Sequence, residues 1–168
     1  PAAVSLPAEA MPELQIVQPV AASHVPAYRV ADVVTLRDVE PQDVHAAQLA
    51  GIATSIVECE GPVHEEEVAR RIATLFGKSR AGSQIMAASA NALRHAAQSG
   101  AILKDEEFWM TPAQRERPPV RNRAEAPASL QRADMFSPLE LRAAARLVEK
   151  DNGEMPEDER LLAIARLL

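Results

Sequence analysis

Five residues, Glu60-Gly61-Pro62-Val63-His64, fix most of what this chain can become. A helix running into Gly61-Pro62 has to stop, because proline lacks an amide hydrogen and disfavours helix at the residue before it. Directly afterwards, Glu65, Glu66 and Glu67 suit the first turn of a new helix, where the positive end of the dipole favours carboxylates. The stretch therefore separates two helices by a tight break, with Val63 placed for a short strand between them.

Upstream of the break, Pro41 suits a first helical turn, and Leu49, Ile52, Ala53, Ile56 and Val57 recur at helical spacing. Downstream, Val68, Ile72, Leu75 and Phe76 form one stripe, and Gly77 is placed as the residue after the helix. Lys78 to Gly82 reads as a turn. A third helix runs from Ala81 or Gly82 to Ser99, with Gly100 as its stop. Its core side carries Ile85, Ala88, Ala92, Leu93 and Ala96, and the other side carries Gln84, Ala87, Asn91 and Arg94/His95. Ala101 to Lys104 and Phe108 to Met110 read as two short strands joined at the acidic Asp105-Glu106-Glu107. Helix, turn, helix, turn, helix, hairpin is the order of a winged helix-turn-helix. The expected fold is mainly α with a small β-hairpin, followed by two further helices.

The flanks differ in character. Residues 1–27 are a Pro/Ala-rich linker, and Tyr28 to Leu36 reads as a strand or a lead-in that packs on the domain, so the winged helix spans 28–111. Residues 112–135, with Pro112, Pro118, Pro119 and Pro127 among Arg115, Arg117, Arg121, Arg123 and Arg132, read as a second linker. Ser137-Pro138-Leu139-Glu140 matches a capping box with proline at the first helical position. It opens a helix carrying Leu141, Ala144, Ala145 and Val148 that ends near Asn152-Gly153. A last helix starts at Pro156, with Leu161, Ile164, Ala165 and Leu168 as its stripe. Residues 136–168 are thus a helical pair, either an incomplete unit or docked on the first domain. The chain opens on Pro1 and stops inside a helical pattern at Leu168, and so reads as a fragment of a longer protein.

Composition narrows the class. With three Phe, one Trp and one Tyr in 168 residues, the core has to be aliphatic and helical. No apolar run approaches the roughly twenty residues of a membrane span, and no signal peptide opens the chain. The single Cys59 excludes an internal disulfide and a multi-cysteine metal site, which suits a reducing cytoplasm.

Enzymatic motifs are missing. His64-Glu65-Glu66-Glu67-Val68 puts valine where a zinc-protease helix needs its second histidine. His24, His45 and His95 show no ligand spacing, and Gly77 to Gly82 lacks the Lys-Ser/Thr ending of a phosphate loop. Cys59 sits between Glu58 and Glu60, a setting that opposes a reactive thiolate. No catalytic residue, metal or cofactor is expected.

Charge supplies the functional candidate. Net charge is −6, yet residues 68–104 hold six bases (Arg70, Arg71, Lys78, Arg80, Arg94, Lys104) and no acid. In a helix-turn-helix the third helix enters the major groove while the second crosses the backbone. On that mapping Arg71, Lys78 and Arg80 neutralise phosphates, Gln84 and Asn91 meet base edges through their amides, and Arg70 and Arg94 complete the expected nucleic-acid-binding set. Few bases and an acidic wing imply weak, salt-sensitive binding. The competing expectation is a solvated helical face on a module that docks only to protein.

The residues Tyr28, Ile56-Val57-Glu58-x-Glu60-Gly61-Pro62-Val63-His64, Arg70-Arg71-Ile72, Phe76-Gly77, Arg80-Ala81-Gly82, Gly100 and Phe108-Trp109 carry a family likeness. This stretch, roughly 28–110, resembles an uncharacterised C-terminal domain of large bacterial superfamily-1 helicase-like proteins that also carry a Vsr-like endonuclease domain. Ser137-Pro138-x-Glu140 and residues 156–168 resemble the helices that follow it in that family. The resemblance implies a winged-helix accessory domain in a DNA-processing protein, with DNA and other domains of the same polypeptide as partners. It supplies no functional residues to carry over.

Overall fold

A computed structural model describes residues 25–32, 39–40 and 43–168. The expected linker before Val25, the 33–36 part of the expected strand, and the Pro41 helix start lie outside the described residues.

Helix α1, Ala46–Glu60, is N-capped by His45, whose Nδ1 accepts from the Ala47 amide at 3.3 Å, and it ends at Gly61. Strand β1, Val63–His64, follows the break, and α2, Glu65–Leu75, begins at once. His64 is its N-cap, with Nδ1 accepting from the Glu66 amide, so this histidine satisfies a helix end and pins the start of α2. Gly77, at φ 64°, lets the chain leave α2 in the left-handed region. Helix α3, Ser83–Gln98, ends before Gly100, again at positive φ.

Helices α1 and α3 pack most extensively, and small residues allow it: Ala50 and Ala53 on one helix meet a side of Ala88, Ala92 and Ala96 on the other. Between them and α2 lie Ile56, Val57, Val68, Ile72, Leu75, Phe76, Ile85 and Leu93, all buried. At about 1.5–3 kcal/mol for each large apolar side chain removed from water, this aliphatic cluster is the main source of stability.

The β-structure is larger than a hairpin. Strands β2, Leu103–Asp105, and β3, Phe108–Met110, join β1 in a three-stranded antiparallel sheet of order β1-β3-β2. Val63 pairs with Trp109 and His64 with Phe108, while Leu103 pairs with Met110. All three residues of the central strand are buried, which suits its run of Phe, Trp and Met. The connectivity is that of a winged helix, with Glu106 at φ 53° forming the tip of the wing.

Residues 112–135, expected to be a linker, are built into the fold instead. Thr111 and Gln114 form a reciprocal capping box that starts α4, Pro112–Glu116. Gln114 then donates from Nε2 to the carbonyls of Val57 and Glu58, tying the segment to the end of α1. Farther along, Arg121 and Arg123 turn inward and are buried. These two arginines are structural because carboxylate, carbonyl and aromatic partners await them inside, whereas Arg115, Arg117 and Arg132 stay exposed. Two short 3-10 turns, Ala128–Gln131 and Ala133–Met135, lead to α5, Pro138–Asn152.

At α5 the Ser137 hydroxyl accepts from the Glu140 amide, but Glu140 does not return the bond because Arg123 claims its carboxylate. Helix α6, Glu157–Leu167, packs on α5 around Ala144, Val148 and Leu167. The expected stripe is met in part: Ile164 and Leu168 pack there with the buried Leu167, whereas Leu161 and Ala165 face outward. Among the described residues no helix is long and apolar enough to cross a membrane.

Candidate functional site

The turn between α2 and α3 brings the first candidate residues together. The first amides of a helix have no intrahelical acceptor, and at this 16-residue helix the N-cap, Gly82, supplies no side chain to satisfy them. Lys78, Ser79, Arg80, Ser83 and Gln84 surround them in an open hollow of about 590 Å³. Lys78 lies 3.5 Å from the Glu40 carboxylate, and Arg80 is exposed with no ion pair among the described residues.

Along α3, Gln84, Ala87, Asn91, Arg94 and His95 are all exposed on the side away from the core. Arg94 donates to the Asn91 side chain and to the Ala90 carbonyl, so it lies along the helix surface. Between this side and the start of α1 runs a groove of about 630 Å³, floored by Val44, Leu49, Ala87, Ala88 and Ala92 and rimmed by Gln84 and Asn91.

The remaining candidates do not join that surface. Arg71, expected at a phosphate, is only 8 % exposed and is held by two carboxylates. Its Nε donates to Glu60 Oε1 at 2.8 Å, its Nη2 to Glu60 Oε2 at 3.0 Å, and its Nη1 is 3.3 Å from Glu67 Oε2. Arg70 is half-buried and paired with Glu66 and Glu67. The helical period explains both corrections. Glu67 lies three and four residues before these arginines, on the same side of α2, where such pairs meet.

The wing is similarly neutralised. Lys104 pairs with Glu65 at 2.7 Å and lies 5.7 Å from the centre of the Trp109 ring. His64 Nε2 is 3.2 Å from the Glu107 carboxylate, and Asp105 and Glu106 are exposed. The acid-free window of the sequence is therefore not acid-free in space: glutamates from outside it cover Arg70, Arg71, Lys78 and Lys104. Arg80 and Arg94 form no ion pair among the described residues, although Glu40 lines the same hollow as Arg80.

A second polar centre, unforeseen from sequence, lies under the α1–β1 break. Glu60 is fully buried and accepts from Tyr28 Oη at 3.0 Å and the Ala31 amide at 2.9 Å, besides Arg71. The Arg121 Nη1 donates to the Glu60 carbonyl at 2.9 Å. The Arg121 and Arg123 guanidiniums lie 4.6 and 4.7 Å from the centre of the Tyr28 ring, a cation–π arrangement. Arg123 also donates to the carbonyls of Leu130 and Met135 and to the buried Glu140 carboxylate. Burial and the Glu60 charge push the Tyr28 phenol far above its ordinary range, so it remains a donor. Glu60 binds the Tyr28 segment, α1 and α2 into one network that reaches α5 through Arg123. The sequence signal was Arg-x-Arg beside Pro118-Pro119, which also reads as a solvated linker.

Chemically, the three buried glutamates, Glu60, Glu67 and Glu140, are already engaged by guanidiniums. Among the described residues no group of three His, Cys, Asp or Glu side chains is gathered to hold a metal. Cys59 is exposed, with its Sγ 3.7 Å from the Arg29 carbonyl.

A family described as a protein of unknown function, DUF3320, matches residues 40–87. The match covers α1, β1, α2, the turn and the first residues of α3, inside the stretch that carries the family likeness. No curated protein and no solved structure matches the chain.

Proposed function

We propose that this chain is a non-catalytic accessory domain that binds duplex DNA weakly, with α3 laid toward the major groove. The observation that carries this reading is the α3 surface itself. From Ser83 to Gln98 the helix has no carboxylate, its N-terminal amides are uncapped, and Arg80 stands beside them. A phosphate at the N-terminus of α3 would meet free N–H groups and a guanidinium, while Gln84 and Asn91 offer amides to base edges. Arg94, lying along the same side, adds a second cation. The family likeness supports placing the domain within a cytoplasmic helicase/nuclease-type DNA-processing protein, where stronger contacts are made by other domains.

A second reading has its own observation. The acidic wing and the apolar floor of Val44, Leu49 and Ala88 beside α3 suit docking against another domain of the same parent polypeptide, without nucleic acid. Fluorescence anisotropy of labelled duplex DNA at about 50 mM salt separates the two, since phosphate contacts are strongest there. Binding that weakens in Arg80→Ala/Arg94→Ala supports the first reading. No binding, or binding unchanged by that pair, overturns it.

A further inference from the structure

Helix α6 is apolar on two sides, and α5 covers only one of them. Ala163, Ile164 and Leu167 turn toward α5, whereas Leu161 and Leu162 are each 57 % exposed and Ala165 is exposed beside them. Next to this outward stripe runs a groove of about 460 Å³ between α5, α6 and the 3-10 turns, lined by Phe136, Leu141, Leu161 and Ala165. Two leucines at this exposure on one short helix form a patch of the kind that marks an interface.

The charges on α6 indicate what covers it. Glu157, Asp158 and Glu159 crowd its first turn and Arg166 its last, and none of the four has an ion pair among the described residues. Arg160, which faces α5, is instead matched with Glu149 at 3.3 Å. Asp158, Leu162 and Arg166 lie at i, i+4 and i+8, one side of the helix, with Leu162 midway. Reversing such a helix about Leu162 sets each Asp158 against an Arg166.

We infer that the outward face of α6 is a twofold contact with a second copy of this chain, the two α6 helices antiparallel and crossing at Leu162. An isologous contact of this kind repeats every interaction twice. Leu161 and Leu162 of each copy enter the groove beside Leu141 and Phe136 of the other, and the Asp158–Arg166 pairs close both ends. The contact is small, so it assembles only at high concentration.

Sedimentation velocity from about 5 µM to about 500 µM tests the contact, a range that brackets the affinity of so small an interface. The weight-average mass should climb from near 18.2 kDa toward twice that value. Leu162→Glu, at a position that does not support the monomer's core, should stay monomeric throughout. Asp158→Arg and Arg166→Asp should each weaken association, and the double variant should restore it because the swapped pairs match again. A mass that stays monomeric at every concentration overturns the inference, as does a dimer indifferent to Leu162→Glu. Failure of the double swap to restore association overturns the antiparallel register.

Discussion

Arg71 and Glu60 form a two-point ion pair, at 2.8 and 3.0 Å, that joins the middle of the second helix to the end of the first. Both partners are buried, so Arg71→Ala leaves the Glu60 carboxylate without its paired guanidinium, and Glu60→Ala leaves Arg71 with Glu67 alone, 3.3 Å away. Arg71→Ala is expected to cost about 3–5 kcal/mol, and a cycle with Glu60→Ala should show strong coupling, the double variant costing less than the sum of the singles. Urea denaturation of the four proteins checks this. Independent, additive losses would show that the pair is not a unit.

Gly61 is required by a neighbour distant in sequence. A β-carbon placed there would lie 2.4 Å from Gln114 Oε1 and 2.6 Å from the Val57 carbonyl oxygen. Gly61→Ala must therefore displace Gln114 or the end of α1, and a loss of about 1–3 kcal/mol is expected. Combining it with Gln114→Ala should recover part of that loss, leaving the clash with the Val57 carbonyl. Thermal unfolding of the single and double variants measures the recovery.

For DNA, each phosphate contact contributes a slope of about −0.9 to the logarithmic dependence of affinity on salt. Replacing Arg80 or Arg94 by alanine should flatten the measured slope by roughly one unit each, with stability within about 0.5 kcal/mol of the parent because both residues are exposed. Arg71→Ala should show the opposite profile, unfolding more easily while retaining the salt slope of its folded fraction. Anisotropy titrations at four or more salt concentrations distinguish these outcomes.

Glu140 links pH to stability. Burial raises its carboxyl above the usual 4.5, against the downward pull of Arg123 and Arg121. In the window between 4.5 and the raised value the folded chain keeps a proton that the unfolded chain has released, so stability falls as pH rises through it. Glu140→Gln cannot titrate. The parent's stability relative to this variant should therefore decline across the window and flatten above it, as read from urea midpoints at successive pH values.

The helices and the wing were legible because their cues are local. Gly61-Pro62, the glutamates after His64, Gly77 and Gly100 each mark a boundary that backbone chemistry enforces wherever the chain goes. The charged surface was less legible, because a count along the sequence cannot tell that Glu67 folds back onto Arg70 and Arg71. Residues 112–135 defeated the reading for a related reason: proline and arginine look the same in a solvated linker and in a segment whose arginines find buried acceptors. On α6 both sides are apolar, so periodicity alone could not choose which would face α5.

Tyr28 shows what the shared network means for motion in solution. Its amide donates to the Asn122 carbonyl at 2.8 Å, the Asn122 amide to Pro26 at 2.9 Å, and the Ala31 amide to Glu60. These bonds lie beside the Tyr28 side chain, which is buried on Glu60, so their release is expected to accompany opening of that core rather than fraying of an end. The amide protons of Tyr28, Ala31 and Asn122 should exchange with deuterium as slowly as those in the middle of α3, and Glu60→Ala should hasten all three together. By that measure a segment at the margin of the fold behaves as part of its slowest-exchanging interior.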